Sequence, residues 1–492
     1  MVPVNKANPG VRTQGAPNPA RRAESGGVDF IDHAYIEDEL RAAAHVDSGE
    51  VRAIIDKARA AQGLEPSEVA RLLGVQDQDL WREIFAVARE VKEKIYGKRI
   101  VLFAPLYISN YCVNNCRYCG YRHDNSFARR RLTPDEIREE VTLLEAMGHK
   151  RLALETGEDP RNCPLDYVLE AIEAIYSVKF ERGSIRRVNV NVAATTVDDY
   201  RRLKAAKIGT YILFQETYHR PTYERMHPSG PKADYDYHLT AMDRALTAGI
   251  DDVGIGALFG LYDYRFEVMA LLLHAQHLDR VHGVGPHTIS VPRLRPATGM
   301  SLADFPYLVS DEDFRKVVAV IRLAVPYTGM ILSTRERPGY RDEVIGLGVS
   351  QISAGSCTGV GAYKQEHGKA VLAGKEDAPQ FAVEDHRSPD EIVRNLCTCG
   401  YLPSYCTACY RKGRTGDRFM ALAKSGKIQN VCQPNAILTF KEYLMDYASP
   451  ETKRVGEETI RRHLAEIPSE ATRQATEERL KLIEAGQRDL YF

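Results

Sequence analysis

Six of the ten cysteines fall into two tight trios. Cys112, Cys116 and Cys119 stand in a C-x3-C-x2-C spacing just after the apolar run 100–108. Three thiolates so close together can wrap one iron–sulfur cube, and a cube has four irons, so one iron is left without a protein ligand. An open coordination position is where a small molecule binds and reacts. The spacing therefore describes a cluster that does chemistry rather than one that only passes electrons. A closed zinc knuckle is the alternative; it needs a fourth ligand, which His123 would supply. The tail repeats the theme with Cys406 and Cys409 in C-x2-C and Cys432 after a further twenty-two residues. This is a second three-ligand set with a free corner, or a zinc site completed by Cys397 or Cys399.

Other chemistry gathers where apolar runs end. After the run 151–156 comes Glu155-Thr156-Gly157-Glu158. A glycine there lets backbone approach a ligand closely, and Glu158 can accept hydrogen bonds from an ammonium group. Ser333, Thr334 and Arg335 end the run 329–333, and two hydroxyls with a guanidinium make a carboxylate clamp. The plainer reading is a surface Arg335–Glu336 pair. Cys163 and Cys357 have no metal-like partner and read as buried small hydrophobes.

The form C-x3-C-x-aromatic-C, with Tyr118 as the aromatic, resembles the signature of the radical S-adenosylmethionine (SAM) enzymes. The resemblance implies a 4Fe-4S cluster on Cys112, Cys116 and Cys119 whose open iron binds SAM and cleaves it to a 5'-deoxyadenosyl radical. Thr156, Gly157 and Glu158 resemble the Gly-Gly-Glu stretch that holds the methionine end of SAM, with Thr156 in place of the first glycine. Gln215 and Glu216 stand where the family commonly contacts SAM. Ser333, Thr334 and Arg335 resemble the substrate carboxylate site of the tyrosine lyases, which break the Cα–Cβ bond of L-tyrosine to p-cresol and dehydroglycine. The tail from Pro403 to Cys432 resembles the tyrosine lyases that mature di-iron hydrogenases. That implies a second, auxiliary cluster on Cys406, Cys409 and Cys432, where dehydroglycine becomes carbon monoxide and cyanide bound to an additional iron. The additional iron takes a histidine, for which His287 is chosen over His274, His277 and His282, and a free cysteine. Hydrogenase maturation proteins are the implied partners. The thiamine-pathway tyrosine lyase (2-iminoacetate synthase), which lacks the second trio, and a non-catalytic iron–sulfur scaffold are the rivals.

These residues need a frame. Eight apolar runs rich in β-branched residues, 100–108, 151–156, 188–193, 210–215, 252–259, 287–293, 329–333 and 349–354, alternate with helical stretches. Eight strand–helix units over about 250 residues fit an α/β fold, a (β/α)8 TIM-type barrel whose reactive groups gather at strand ends. Thr133-Pro134-Asp135-Glu136 is a capping box opening the first helix. The chain divides into a disordered segment 1–28, a helical region 29–98, the barrel 99–377 and an auxiliary-cluster domain 378–492. Residues 66–75 look like half of a DNA-binding helix pair but read better as packing helices. The tail helices 434–447 and 450–485 read as polar and superficial. Sixty-six basic against sixty-seven acidic side chains give a net charge of −1, which invites neither nucleic acid nor anionic lipid. No apolar run approaches the ~20 residues of a membrane span. Free thiols suit a reducing cytoplasm, although the basic, acid-poor start leaves an organelle transit peptide open.

Overall fold

The computed structural model describes residues 30–180, 182–367 and 379–492. The expected disordered segment 1–28 and the boundary at 377/378 lie outside the described residues. Eight parallel strands close into a barrel: β1 Arg99–Ser109, β2 Arg151–Thr156, β3 Arg187–Asn191, β4 Tyr211–Ile212, β5 Val253–Gly256, β6 Thr288–Ser290, β7 Gly329–Leu332 and β8 Gln351–Ser353. Each strand pairs with its successor, and β1 closes the ring by pairing with both β2 and β8. The (β/α)8 expectation holds.

Four helices precede the barrel: α1 His33–Ala42, α2 Ser48–Ala58, α3 Pro66–Gly74 and α4 Gln78–Tyr96. The outer ring is α5 Pro134–Ala146, α6 Leu165–Ser177, α7 Val197–Ala205, α8 Ala241–Thr247, α9 Tyr264–His282, α10 Asp311–Ala324, α11 Pro338–Gly348 and α12 Pro389–Thr398. The capping box is formed: the Thr133 hydroxyl accepts from the Glu136 N–H while the Glu136 carboxylate accepts from the Thr133 N–H. In α3 the apolar face of Val69, Ala70, Leu72 and Leu73 is buried against α9 and α10, so residues 66–75 are packing helix.

The tail differs from its expectation in two ways. A ninth strand, β9 Leu402–Ser404, lies parallel to the start of β1, with Leu402 opposite Arg99 and Ser404 opposite Val101. Pro403 is tolerated because an edge strand can spare one N–H. The tail is thus hydrogen-bonded into the barrel sheet rather than standing apart. Its helices are α13 Gly416–Lys424, α14 Ile428–Asp446, α15 Pro450–Ala465 and α16 Glu470–Glu484. The superficial reading of 434–447 is corrected: α14 starts six residues before Pro434 and is buried almost throughout from Pro434 to Leu444. Among the described residues no helix is long and apolar enough to cross a membrane.

Candidate active site

Three cavities succeed one another along the barrel axis. Side chains two apart on a strand share a face, and on β1 and β2 they step from one cavity to the next. Val101 and Arg151 line a chamber at the floor, Phe103 and Ala153 line the lumen, and Glu155 lines both the lumen and a cleft at the strands' carboxyl ends.

The upper cleft, about 960 Å³ with its mouth, is lined by Cys112, Cys116, Cys119, Tyr118, Thr156, Gly157, Glu158, Glu216 and Arg335. The cysteine loop is held by backbone: Val113 N–H donates to the Glu158 carbonyl at 2.8 Å, and Arg117 N–H to that of Met226 at 3.0 Å. Arg129 donates to the carbonyls of Asn110, Tyr121 and Arg122 at 2.6–2.7 Å. A Cβ at Gly157 would stand 2.3 Å from the Tyr111 carbonyl, so only glycine lets the second loop touch the first. Glu158 accepts from the Asn114 amide at 2.7 Å, and the Tyr118 hydroxyl pairs with His227 Nε2 at 2.8 Å. Glu216 adopts φ +67° and pairs with Lys232 Nζ at 2.8 Å. A non-glycine residue held there stores strain of the kind found at ligand clamps. Burial opposes the Lys232 charge, but Glu216 and then the Cys116 sulfur hold its ammonium above the ordinary value. Burial also raises the three thiols, Cys119 to about 11. Gln215 does not wall this cleft; it is buried elsewhere, its amide nitrogen unpaired among the described residues.

Ser333, Thr334 and Arg335 line the lumen cavity of about 710 Å³. Arg335 makes no ion pair with Glu336, whose carboxylate is taken by Arg293 and Arg295. The surface-pair reading therefore falls. The Arg335 guanidinium instead lies 3.3 Å from the centroid of the Phe381 ring, with burial weakening its charge. Facing the same space, Glu155 is pushed up to about 8 by burial, against the pull of Arg335. Glu155 carries no motif of its own in the sequence; its place at an inward strand end is the signal that marks it. Asn114, Lys232, Asn191, Gln380 and Phe381 carried no motif and were missed.

The floor chamber, about 510 Å³, is lined by Cys406, Cys409 and Cys432 together with His287, Arg99, Arg151 and Tyr410. β9 delivers Cys406, two residues beyond Ser404, to the foot of β1, and α14 supplies Cys432. Arg151 donates to the Cys406 carbonyl at 3.0 Å. Arg187 lies over the Tyr410 ring. His287 Nε2 lies 3.2 Å from the Tyr410 hydroxyl, and Nδ1 lies 3.5 Å from Asp252. Burial lowers the His287 pKa, keeping its imidazole neutral and fit to ligate. His274 is engaged by Tyr218, while His277 and His282 share Asp243. Cys432 is lowered by a hydrogen bond from the Cys409 thiol and then by Arg99, and Cys409 is raised accordingly. Arg99 Nε, Arg151 Nε and Arg187 Nη2 have no hydrogen-bond partner among the described residues. Arg99 and Arg151 line the chamber with donors to spare beside three thiols, and Arg187 lies behind Tyr410, a setting that suits an anionic thiolate-bound cluster.

Neither zinc reading finds its fourth ligand. His123 is exposed on Asp124, Cys397 is buried beside Thr459, and Cys399 is exposed at the end of α12. Among the described residues no three His, Cys, Asp or Glu side chains close on a single ion.

A parallel (β/α)8 barrel with C-x3-C-x2-C in its first loop defines a radical SAM enzyme. Residues 106–273 match the model of the Radical SAM superfamily, and residues 290–402 that of the Biotin and Thiamin Synthesis associated domain. The 2-iminoacetate synthase of Escherichia coli (strain K12) is 31% identical over 358 residues, 72% of this chain and 90% of that protein. A crystal structure of HydG, described as a maturase of the [FeFe]-hydrogenase, is 63% identical with a TM-score of 0.91, covering 94% of this chain and 100% of the other. The FeFe-hydrogenase maturase HydG from Carboxydothermus hydrogenoformans is 42% identical with a TM-score of 0.79, covering 92% and 98%. The chain belongs to the HydG family of radical SAM carbon–carbon lyases. It is an enzyme rather than an iron–sulfur scaffold, and membership implies SAM and a 4Fe-4S cluster.

Proposed function

We propose that the chain cleaves the Cα–Cβ bond of L-tyrosine to p-cresol and dehydroglycine. Dehydroglycine then becomes carbon monoxide and cyanide at the floor chamber, for assembly of an [FeFe]-hydrogenase active site. One observation carries this reading: two thiol trios line separate chambers at opposite ends of one barrel. A lyase that released dehydroglycine would need only the upper trio.

The cluster on Cys112, Cys116 and Cys119, with SAM, supplies a 5'-deoxyadenosyl radical when bound. Thr156, Gly157, Glu158 and Glu216 hold the amino-acid end of SAM, with Tyr118 beside the cluster. Arg335, with Ser333 and Thr334, takes the tyrosine carboxylate, and Phe381 fixes the plane of the guanidinium. Fixing both reactants in a closed space contributes by orientation. A TIM-type lumen is ordinarily filled with branched apolar side chains. Here Asn191, Ser290, Ser353 and Ser333 line it, offering hydrogen bonds to a small polar fragment on its way to the floor. At the floor, Cys406, Cys409 and Cys432 hold the auxiliary cluster, and His287 and a free cysteine bind the additional iron. Arg99, Arg151 and Arg187 offset the negative charge. Maturation proteins receive the product. Similarity to the two HydG structures supports the tail's part of this reading.

Similarity to 2-iminoacetate synthase favours a second reading, in which dehydroglycine is released. Anaerobic turnover of tyrosine and SAM with dithionite, with both gases trapped, separates the two. Equal yields of p-cresol and cyanide, with carbon monoxide, are expected; p-cresol without either gas overturns the maturase reading.

A further inference from the structure

A fourth cavity, about 610 Å³, lies on the flank of the floor chamber between the end of α4, the start of β1, β9, α14 and α15. Tyr96 and Arg99 line both spaces. Arg99 is thus a shared wall, and its Nε has no hydrogen-bond partner among the described residues. The outer part is polar: Lys98, Glu93, Glu466, Gln429 and His463. His463 is only 2% exposed, its Nδ1 engaged by Glu466 at 2.8 Å and its ring further held by the Gly400 backbone. The Arg99 Nε therefore leaves one donor position at the boundary of the two spaces unsatisfied among the described residues. A buried polar group costs free energy unless something satisfies it.

We propose that this cavity is a side door to the Cys406, Cys409 and Cys432 chamber, taking small carboxylate-bearing molecules of the α-amino-acid class. Lys98 at the mouth and Arg99 at the inner wall receive the carboxylate. Glu93 and Glu466 receive an ammonium group. The argument for a second entrance is topological. SAM and tyrosine would fill the cleft and lumen, so a floor chamber loaded during turnover cannot use the barrel's upper mouth. This use of the door rests on the proposed role of the floor chamber, but its existence does not.

The test reads thiols in the full chain before cluster loading. Iodoacetate and iodoacetamide are the probes, and alkylation of Cys432 and of Cys116 is followed by peptide mass spectrometry. Glu466→Trp, at the exposed mouth, is expected to slow labelling of Cys432 at least about fivefold and leave Cys116 unchanged, since reactivity follows access. Iodoacetate is expected to gain on iodoacetamide at Cys432 by roughly threefold through Lys98, and Lys98→Glu to reverse that preference. Equal labelling of Cys432 in wild type and Glu466→Trp overturns the proposal, and so does a slowing shared by Cys116. If thermal unfolding shows Glu466→Trp to be destabilised, the Lys98→Glu preference decides alone: no reversal overturns the proposal. Iron counting after reconstitution tests the auxiliary cluster separately, so a missing second cluster and a missing door are told apart.

Discussion

The two ends of the barrel carry like trios of thiols in different electrostatic settings. Around the upper trio stand the carboxylates Glu158 and Glu216, a Glu155 that burial holds largely protonated, and the cations Lys232 and Arg335. Around the lower trio stand Arg99 and Arg151 with a neutral His287, and Arg187 behind Tyr410. Carboxylates suit a ligand that brings ammonium and sulfonium charge; guanidinium groups suit a site that must collect anions. Three thiols at each end thus face different surroundings, and the proposed division of labour rests on that difference.

The sharpest way to break this comparison is to remove one thiol at each end. Cys116→Ala is expected to abolish 5'-deoxyadenosine and p-cresol together, a loss of roughly a thousandfold or more, because the cofactor carries the hard chemistry. Cys406→Ala is expected to spare p-cresol and abolish cyanide. Product analysis by chromatography checks both, and loss of p-cresol in Cys406→Ala would mean the ends do not work separately. Next in size, Arg335→Lys keeps the charge but loses two-point binding, and should lower kcat/KM for tyrosine by about 10–100-fold, mostly through KM. A smaller effect is expected of His287→Asn: both clusters load, p-cresol forms within about twofold of wild type, and iron analysis finds about one iron fewer per chain.

The barrel was legible because buried parallel strands write themselves as β-branched runs, and all eight runs became strands. The upper thiol trio was legible because Cys112, Cys116 and Cys119 stand close in sequence, and the lower because Cys406 and Cys409 repeat that close pairing. What the sequence hid was contact between distant segments. β9 is three residues with a central proline, below any periodicity signal, yet it anchors Cys406 to the barrel. Pro434 read as a helix start because proline favours the first turn, whereas α14 begins at Ile428 and buries nearly every face. Lys232, Arg99 and Arg187 gave no motif because a charge shows its role only by what it faces.

A buried acid at one end and a buried base at the other also predict opposite pH responses in the cluster-free chain. Glu155 sits at about 8 against an ordinary 4.5, because burial penalises its charge. Its protonated form is favoured by folding, so its contribution is full below pH 4.5 and drains away as pH rises to about 8. His287 is shifted the other way, below 6.5, again chiefly by burial. Folding favours its neutral form, so its contribution is present above pH 6.5 and is lost as pH falls through the lowered value. Thermal unfolding midpoints across this range should therefore show Glu155→Gln gaining on wild type toward pH 8. His287→Gln should gain toward the acid side. Parallel pH profiles for the two variants would mean that burial does not set the charge states of Glu155 and His287, since burial pushes an acid up and a base down.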